Sequence, residues 1–195
     1  MVNANRGGPV PRPKNEQLKS QILRVAEKQF ATSGYKATSY TSIAEACGIS
    51  RNLVQYHFPK KETLAIAYME SVLARSMKKL GLDDDAVRGN YAAIKNVGAS
   101  FFETLLAKPG TRLFLSDVIS SRELTESVLA FNFNWAIERV DIPAGANLDA
   151  VMRMVVARMG GFYELLYWSL KNDKPFDAAR EIGIVVDAFA EALGK

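Results

Sequence analysis

The only cysteine and the only histidine of the chain, Cys47 and His57, lie within the short stretch CGISRNLVQYHFPKKETL. A thiol and an imidazole can act as nucleophile and base when they come within hydrogen-bond distance and a third group orients the base. No orienting group is found nearby, and the spacing puts Cys47 on one helix face with Ile43 and Ala44. A thiol in apolar surroundings is a poor nucleophile. We therefore interpret Cys47 as a core residue and His57 as a hydrogen-bonding anchor at a helix end.

The sequence also gives no support for a metal site, a phosphate-binding loop or a serine nucleophile. Zinc is usually held by three or four ligands, and one histidine with one cysteine does not approach that number. The sequence has no Gly-rich phosphate loop and no Gly-x-Ser-x-Gly motif. We predict no catalytic residue, no metal and no cofactor. A helical enzyme that uses His57 is kept as a less favoured alternative.

Positive charge is concentrated at the start of the chain. Residues 1–62 hold ten Lys/Arg against four Asp/Glu, whereas residues 63–195 hold fifteen against seventeen. A basic segment is suited to a phosphate backbone, because neutralising phosphates releases their counterions. A solvated basic face that only stabilises a protein-interaction module would have the same composition. The spacing of the residues must decide between the two.

Length and composition indicate a soluble protein of a reducing compartment, and we expect it in the cytoplasm. The 195 residues suffice for one large domain or two small ones that share a core. No apolar run approaches the roughly 18–20 residues that span a bilayer, and one cysteine cannot form an internal disulfide. The first 15 residues contain three prolines and two arginines but no apolar segment typical of a signal peptide. We expect a flexible basic arm over 1–15 and no membrane partner.

Two short helices joined by a glycine turn are predicted near the start of the chain. Ser39 is placed to cap the first, which ends at Cys47, and Gly48 begins the turn. Ser50 is placed to cap the second, which reaches about Phe58. In such a helix-turn-helix the first helix braces the second, so that the second can lie in a major groove of DNA.

The other helices are predicted from apolar spacing and from breaks at proline, glycine and polar runs, without any strand-type alternation. They are a first helix over 16–33 that ends at Gly34, a long helix from 60–62 toward Leu80, and five more at about 85–107, 110–118, 121–140, 147–171 and 177–193. The fold class is therefore all-α with nine helices. The helix-turn-helix domain is expected over 16–62 and a second domain over 63–195.

Side chains suited to DNA cluster around the second short helix. Arg51, Asn52 and Gln55 are of the types that pair with guanine or adenine edges. A capped helix N-terminus and nearby hydroxyl or ammonium groups are suited to phosphate oxygens. These groups belong to Thr38, Thr41, Ser50, Tyr56 and Lys61. Without this context, three polar residues would indicate only a solvated helix face.

The stretch ILRVAEKQFATSGYKATSYTSIAEACGISRNLVQYHFPKKETL resembles the DNA-binding domain of the TetR family of transcriptional regulators. The shared positions are Ala26, Phe30, Gly34, Tyr35, Thr38, Ser39, Ile43, Ala44, Gly48, Ile49, Ser50, His57, Phe58, Lys61, Glu62 and Leu64. The resemblance implies a homodimeric repressor that leaves its operator when a small apolar or aromatic effector enters the second domain. It implies DNA contacts from Thr38, Ser39, Thr41, Ser50, Arg51, Asn52, Gln55, Tyr56, His57 and Lys61.

The chain departs from the family at two of these positions. The family commonly has tyrosine two residues before the histidine, where this chain has Gln55, and Tyr56 stands next to His57 instead. Many members carry arginine where this chain has Thr41. We expect Gln55 to add base readout and Tyr56 to take the phosphate role.

Aromatic and methionine residues of the second domain are candidates for an effector pocket, because such pockets are mostly apolar and aromatic. The candidates are Phe101, Phe102, Phe114, Phe131, Trp135, Met159, Phe162, Tyr163 and Tyr167. Glu103, Asp117, Glu138 and Glu164 are possible polar anchors, and the alternative for each aromatic residue is the ordinary core.

The last two predicted helices are candidates for a four-helix dimer interface. Gly160 would permit close approach, and the apolar stripe of the last helix would be buried between two copies. The predicted interface residues are Gly160, Ile182, Val186, Phe189 and Leu193. An intramolecular core is the alternative reading of that stripe.

Overall fold

The computed structural model of the protein describes residues 14–195, and these residues form ten helices and no strand. The helices are α1 Lys14–Ala37, α2 Tyr40–Cys47, α3 Arg51–His57, α4 Lys61–Lys79, α5 Asp84–Val87, α6 Tyr91–Leu106, α7 Pro109–Ile119, α8 Arg122–Ile137, α9 Leu148–Lys171 and α10 Ala178–Ala192. The all-α prediction is confirmed. Of the arm predicted over 1–15, residues 14–15 belong to α1 and the rest lies outside the described residues.

The first helix is longer than predicted and bends near its end. Gly34 has φ 80° and ψ −179°, so the helix is interrupted there and one more turn follows to Ala37. A positive φ is the conformation that glycine adopts without steric cost. The sequence thus located the break at Gly34, although the chain continues for one more helical turn beyond it.

The helix-turn-helix forms as predicted, because its ends are fixed by local caps. The Ser39 side chain accepts from the Ser42 amide, and Gly48, with φ 68° and ψ 34°, ends α2 in the left-handed conformation. The Ser50 side chain accepts from the Leu53 amide at the start of α3. These bonds satisfy backbone groups that a helix end leaves unpaired.

The segment 85–107 forms two helices where one was predicted, which raises the count to ten. Gly89 has φ 67°, and its amide donates to the Arg139 carbonyl oxygen, 2.7 Å away. The Asn90 side chain then caps α6 by accepting from the Ala93 amide. A positive φ followed by a new cap ends α5 and starts α6, although the apolar spacing continues through both.

Helix α7 occupies a central place in the packing. It contacts α1 most extensively and also packs against α6, α8 and α9, while α10 packs against α6 and α9. Where α7 begins, a Cβ atom on Gly110 would lie 2.0 Å from the Ala31 carbonyl oxygen. The backbones of α1 and α7 are therefore in direct contact. Buried apolar side chains from the helix-turn-helix through α10 form one continuous cluster.

The apolar stripe of α10 belongs to this intramolecular core. Ile182, Val186, Phe189 and Leu193 are at most 8% exposed in the single chain, and of the predicted interface residues only Gly160 is partly exposed. The assignment of those four side chains to a dimer interface is therefore corrected. No helix within residues 14–195 combines the length and apolar character needed to cross a membrane.

Candidate nucleic-acid interface and ligand cavity

Helix α3 buries one face and exposes the other. Val54 is fully buried, whereas Arg51, Asn52 and Gln55 are exposed. The exposed side thus carries one guanidinium and two carboxamides, which can form paired hydrogen bonds with base edges. The structure brings together the three residues that were predicted to read bases.

Other polar groups surround α3 on the same part of the chain. Ser39, Thr41 and Ser50 are exposed, and Tyr56 is 72% exposed. The Ser39 hydroxyl is engaged in the cap of α2, where it accepts from the Ser42 amide at 3.0 Å. Exposed hydroxyls next to helix N-termini can approach phosphate oxygens.

Thr38 does not belong to this exposed set. Its side chain is buried, with 1% of the residue exposed, and its hydroxyl donates to the Gly34 carbonyl oxygen at 2.8 Å. A buried hydroxyl with a satisfied bond cannot reach DNA, so the expectation of a phosphate contact from Thr38 is corrected. The Thr38 hydroxyl instead bonds back to Gly34, where α1 bends, and so holds the last turn of that helix.

Lys61 is turned inward rather than toward solvent. Its ammonium donates to the Thr38 carbonyl oxygen at 2.8 Å and lies 4.1 Å from the centre of the Tyr35 ring. Burial lowers the pKa of the Lys61 ammonium below its usual value, and the negative charge of Asp117 opposes this shift. In this conformation the Lys61 ammonium holds the residues before α2 through these two contacts. Its assignment to a DNA phosphate is therefore corrected.

Cys47 and His57 have separate surroundings. Burial raises the pKa of the Cys47 thiol, which disfavours the reactive thiolate. His57 is half-buried at the end of α3 and meets the Tyr56 ring edge-on, with 5.4 Å between ring centres. Within the part of the chain that the structure describes, no three His, Cys, Asp or Glu side chains are grouped to hold a metal.

Two small adjoining cavities lie between α6, α8, α9 and α10. Their volumes are about 70 Å³ and about 50 Å³. Four of the predicted pocket residues, namely Phe101, Phe102, Trp135 and Met159, line the larger cavity. Apolar residues that were not predicted also line the two cavities, among them Ile94, Gly98, Ala136, Ile182, Val185 and Val186. Their spacing alone could not separate cavity lining from ordinary core.

One polar pair borders these cavities. Asn132, which lines both, donates through its amide nitrogen to the Tyr163 hydroxyl at 2.6 Å and to the Val128 carbonyl oxygen at 3.1 Å. Burial raises the pKa of Tyr163 above its usual value, and the hydrogen bond from Asn132 opposes this shift. Asn132 was not predicted, because a single asparagine on a helix gives no distinctive signal.

A wide groove of about 1080 Å³ runs between α4, α5 and α8. Phe131, Trp135 and Glu138 from the predicted set line it. The Arg139 guanidinium lies 4.8 Å from the centre of the Trp135 ring and is paired with Asp84 of α5. Because Trp135 and Leu73 line both the groove and the larger cavity, they separate one space from the other.

The remaining pocket candidates lie elsewhere. Phe114 is fully buried among Phe30, Tyr35 and Tyr68 where α7 meets α1 and α4, so its assignment to a pocket is corrected. Phe162 packs on Phe102, and Tyr167 is half-buried beside Lys171. Of the predicted anchors, Glu103 and Glu164 are exposed, and Asp117 is buried at the junction with α1.

Helix α9 presents large apolar side chains to solvent in the single chain. This exposed set, which we call the α9 stripe, is joined by Ile184 of α10. Its members are Leu148, Met152, Val156, Leu165 and Trp168, which are 40–62% exposed. Several large apolar side chains exposed on one helix exceed the scattered single ones that are normal on a protein surface, and they make α9 a candidate site of association.

The helix-turn-helix region matches a known family model. Residues 22–68 fit the model described as bacterial regulatory proteins, tetR family. An 88-residue stretch is 31% identical to the uncharacterized HTH-type transcriptional regulator YerO of Bacillus subtilis, covering 44% of this chain and 30% of that protein. A 55-residue stretch is 38% identical to the HTH-type transcriptional regulator RutR of Escherichia coli, covering 28% of this chain and 26% of that protein. The chain thus spans less than a third of these two relatives.

Longer matches cover nearly the whole chain at lower identity. The HTH-type transcriptional repressor AcnR of Corynebacterium diphtheriae is 25% identical over 176 residues, which cover 90% of this chain and 80% of that protein. The crystal structure of a TetR-family regulator from Streptomyces coelicolor superposes with a TM-score of 0.57 at 20% identity, covering 97% of this chain and all of that one. This second likeness concerns the fold alone.

Proposed function

Because the chain carries, over residues 22–68, the DNA-binding domain of the tetR family of bacterial regulatory proteins and belongs to that family, we propose that it is a transcriptional regulator. It binds operator DNA as a homodimer and acts as a repressor that a small apolar or aromatic effector releases. The observation that carries the proposal is the exposed face of α3 with Arg51, Asn52 and Gln55. We assign DNA binding to 16–62 and effector binding and dimerisation to 63–195.

The charge distribution supports a DNA partner. The excess of Lys/Arg lies in residues 1–62, while residues 63–195 carry a slight excess of Asp/Glu. Phosphate neutralisation by the basic part gives affinity for any duplex, and the side chains of α3 add preference for a sequence. Exposed Thr41, Ser50 and Tyr56 are assigned to phosphates.

The cavities beside Asn132 support an apolar effector. They are lined almost entirely by apolar and aromatic side chains, and their combined volume is small for a drug-sized molecule. Occupation by a larger effector therefore requires Trp135 or Leu73 to move, which would join the cavity to the groove. The effector favours the conformation of the dimer whose two α3 helices no longer match the half-site spacing.

The α9 stripe supports a two-fold dimer. Each α3 helix reads only a few base pairs, and a symmetric pair of such helices doubles the length of the site. In the single chain the exposed side chains of α9 and Ile184 of α10 offer apolar surface for this contact. The dimer interface is thus assigned to the α9 stripe, with Gly160 and Gly161 allowing close approach of the two α9 helices.

The test begins with selection of tightly bound duplexes from a random-sequence pool by the full chain. Affinity for a selected duplex should fall by roughly 1–3 kcal/mol in Arg51→Ala, Asn52→Ala or Gln55→Ala, with relaxed preference at one base position. Arg180→Ala is the control for Arg51→Ala, because it removes the same charge from the exposed start of α10. Compounds that weaken binding should do so by roughly 1–3 kcal/mol.

The alternatives give other results. A protein-interaction module would show no salt-dependent affinity for any duplex. An enzyme that uses His57 would turn over a substrate, would lose that turnover in His57→Ala, and would not bind DNA. The similar proteins described above are transcriptional regulators, and we propose that this chain likewise has no enzymatic activity and works in the cytoplasm.

A further inference from the structure

We propose that Asp117 of α7 is a positioning residue that holds the segment Gly34–Thr38, which runs from the bend of α1 to the residue before the cap of α2, and thereby fixes the orientation of α2 and α3 on the rest of the chain. This inference rests on the proposed function, because that orientation matters to a protein that presents α3 to DNA.

The Asp117 carboxylate bonds directly to the segment. Its Oδ2 atom accepts a hydrogen bond from the Lys36 amide at 2.9 Å, and its Oδ1 atom lies 3.5 Å from the Lys36 ammonium. The Asp117 side chain is 9% exposed, whereas that of Lys36 is 70% exposed. The ion pair is thus at the surface and weak. The bond from the Lys36 amide to the carboxylate is partly buried and charge-assisted, and it carries the attachment.

Gly34 brings the segment close enough for this bond. A Cβ atom at Gly34 would lie 2.8 Å from Leu113 Cγ and 3.0 Å from Asp117 Oδ2. The positive φ of Gly34 directs the chain across α7 at this point. Side chains of α7 therefore occupy the space that any other residue type at position 34 would need.

The other side of the segment is held by α4. Lys61 donates to the Thr38 carbonyl oxygen at 2.8 Å, and the Thr38 hydroxyl donates to the Gly34 carbonyl oxygen at 2.8 Å. Ser39, the cap of α2, follows immediately. The start of α2 is thus fixed between an anion of α7 and a cation of α4.

Helix α7 is placed to transmit a change from the cavities to this segment. It packs against α6, α8 and α9, and these three helices supply most of the cavity lining. A displacement of α7 along its axis would carry Asp117 with it and pull on the Lys36 amide. The hydrogen bond between Asp117 and the Lys36 amide is the direct polar link from α7 to the segment.

The experiment compares three variants of the full chain. Asp117→Asn removes the charge and keeps the shape of the side chain. Asp187→Asn is the matched control, because it removes one negative charge from an exposed pair with Lys95 on α6. Lys36→Ala removes the surface ion pair but keeps the amide that bonds to Asp117. Amide hydrogen exchange is measured by NMR, together with affinities for a wild-type-selected duplex and for random duplexes, and with thermal unfolding.

We expect the amides of residues 36–42 to exchange about tenfold faster in Asp117→Asn, because a neutral asparagine oxygen accepts the Lys36 amide without the charge that strengthens the bond. The preference for the selected duplex over random duplexes should fall several-fold. Asp187→Asn and Lys36→Ala should match the unaltered chain in the exchange rates over 36–42 and in the preference for the selected duplex. In the unaltered chain, the Lys36 amide should exchange more slowly than the amides of the exposed residues Asp141, Ile142, Ala144 and Gly145. This comparison does not depend on the folding of any variant.

Three results would overturn the inference. The first is a Lys36 amide that exchanges in the unaltered chain as fast as the exposed loop. The second is unchanged exchange over 36–42 in a folded Asp117→Asn. The third is faster exchange with an unchanged preference for the selected duplex. A wild-type chain that prefers no duplex would overturn the proposed function, and exchange alone would then decide whether Asp117 holds the segment.

Discussion

The Lys61 ammonium donates a hydrogen bond to the Thr38 carbonyl oxygen, 2.8 Å away, and so joins the first turn of α4 to the residue before the cap of α2. The group that sequence spacing assigns to a DNA phosphate is therefore used inside the protein. This relationship changes what should be expected when Lys61 is replaced.

Lys61→Ala should lower the free energy of unfolding by about 1 kcal/mol, because a hydrogen bond and a contact with the Tyr35 ring are lost. The dependence of DNA affinity on salt should not change, since the ammonium neutralises no phosphate in this conformation. Urea unfolding and binding to random duplexes at several salt concentrations measure the two effects. A salt slope smaller by about one ion would show instead that Lys61 leaves Thr38 when DNA binds.

The stability of the protein should fall at alkaline pH through Tyr35. Burial, with a smaller contribution from the Glu62 charge, raises the pKa of Tyr35 from 10.0 to about 12. A group with a raised pKa in the folded state contributes stability below its unfolded pKa and loses it as the pH rises through the folded pKa. Between pH 10 and pH 12 the unaltered chain should therefore lose stability more steeply than Tyr35→Phe.

Urea unfolding across that range checks the Tyr35 prediction. Tyr56→Phe is the control, because the Tyr56 ring is 72% exposed, and this variant should follow the unaltered chain. Parallel curves for Tyr35→Phe and the unaltered chain would contradict the role of Tyr35.

Val156→Glu should give a folded monomer, because Val156 is 62% exposed in the single chain and lies in the α9 stripe. Phe189→Glu should behave differently. Phe189 is 6% exposed and packed inside the chain, so a buried carboxylate there should lower the melting temperature. Light scattering at micromolar concentration, together with circular dichroism, separates dissociation from unfolding. A Val156→Glu variant that stays dimeric would remove the α9 stripe from the interface.

Gly110→Ala should destabilise the protein by more than about 2 kcal/mol, because the new methyl group would collide with the backbone of Ala31. Gly183→Ala on α10 is the matched control. A Cβ there meets nothing within 4 Å, and alanine favours a helix by roughly 0.5–1 kcal/mol relative to glycine. The melting temperature should fall in Gly110→Ala and rise in Gly183→Ala. Equal shifts in the two variants would contradict the direct contact of α1 with α7.

The elements that sequence predicted well are those whose ends are set by local bonds. Ser39, Gly48 and Ser50 define the helix-turn-helix through caps that involve residues only three to five positions away. The exposed face of α3 follows from the same local pattern. The division at Gly89 was not predicted, because the amide of that residue is held by Arg139, which is distant in sequence.

The parts of the site that depend on contacts between distant segments escaped prediction. Thr38 and Lys61 are of types that contact DNA, and only their bonds to Gly34 and to each other show that they face inward. The apolar spacing of α10 does not distinguish a helix face that packs within the same chain from one that packs on a second copy. In the structure that face is buried in the core of the single chain. Asn132 became a candidate only when α8 and α9 brought it beside Tyr163.

The contact between Gly110 and Ala31 limits how this protein can be recombined with others. A hybrid regulator made by joining its first 62 residues to a foreign effector domain would place an unrelated helix against Ala31 and Thr32. Unless that helix had a glycine at the position of Gly110, its Cβ atom would collide with the backbone of Ala31 and push the two domains apart. Exchange of DNA specificity by grafting therefore has to treat α1 and α7 as one inherited unit, with the substitutions confined to the outward side chains of α3.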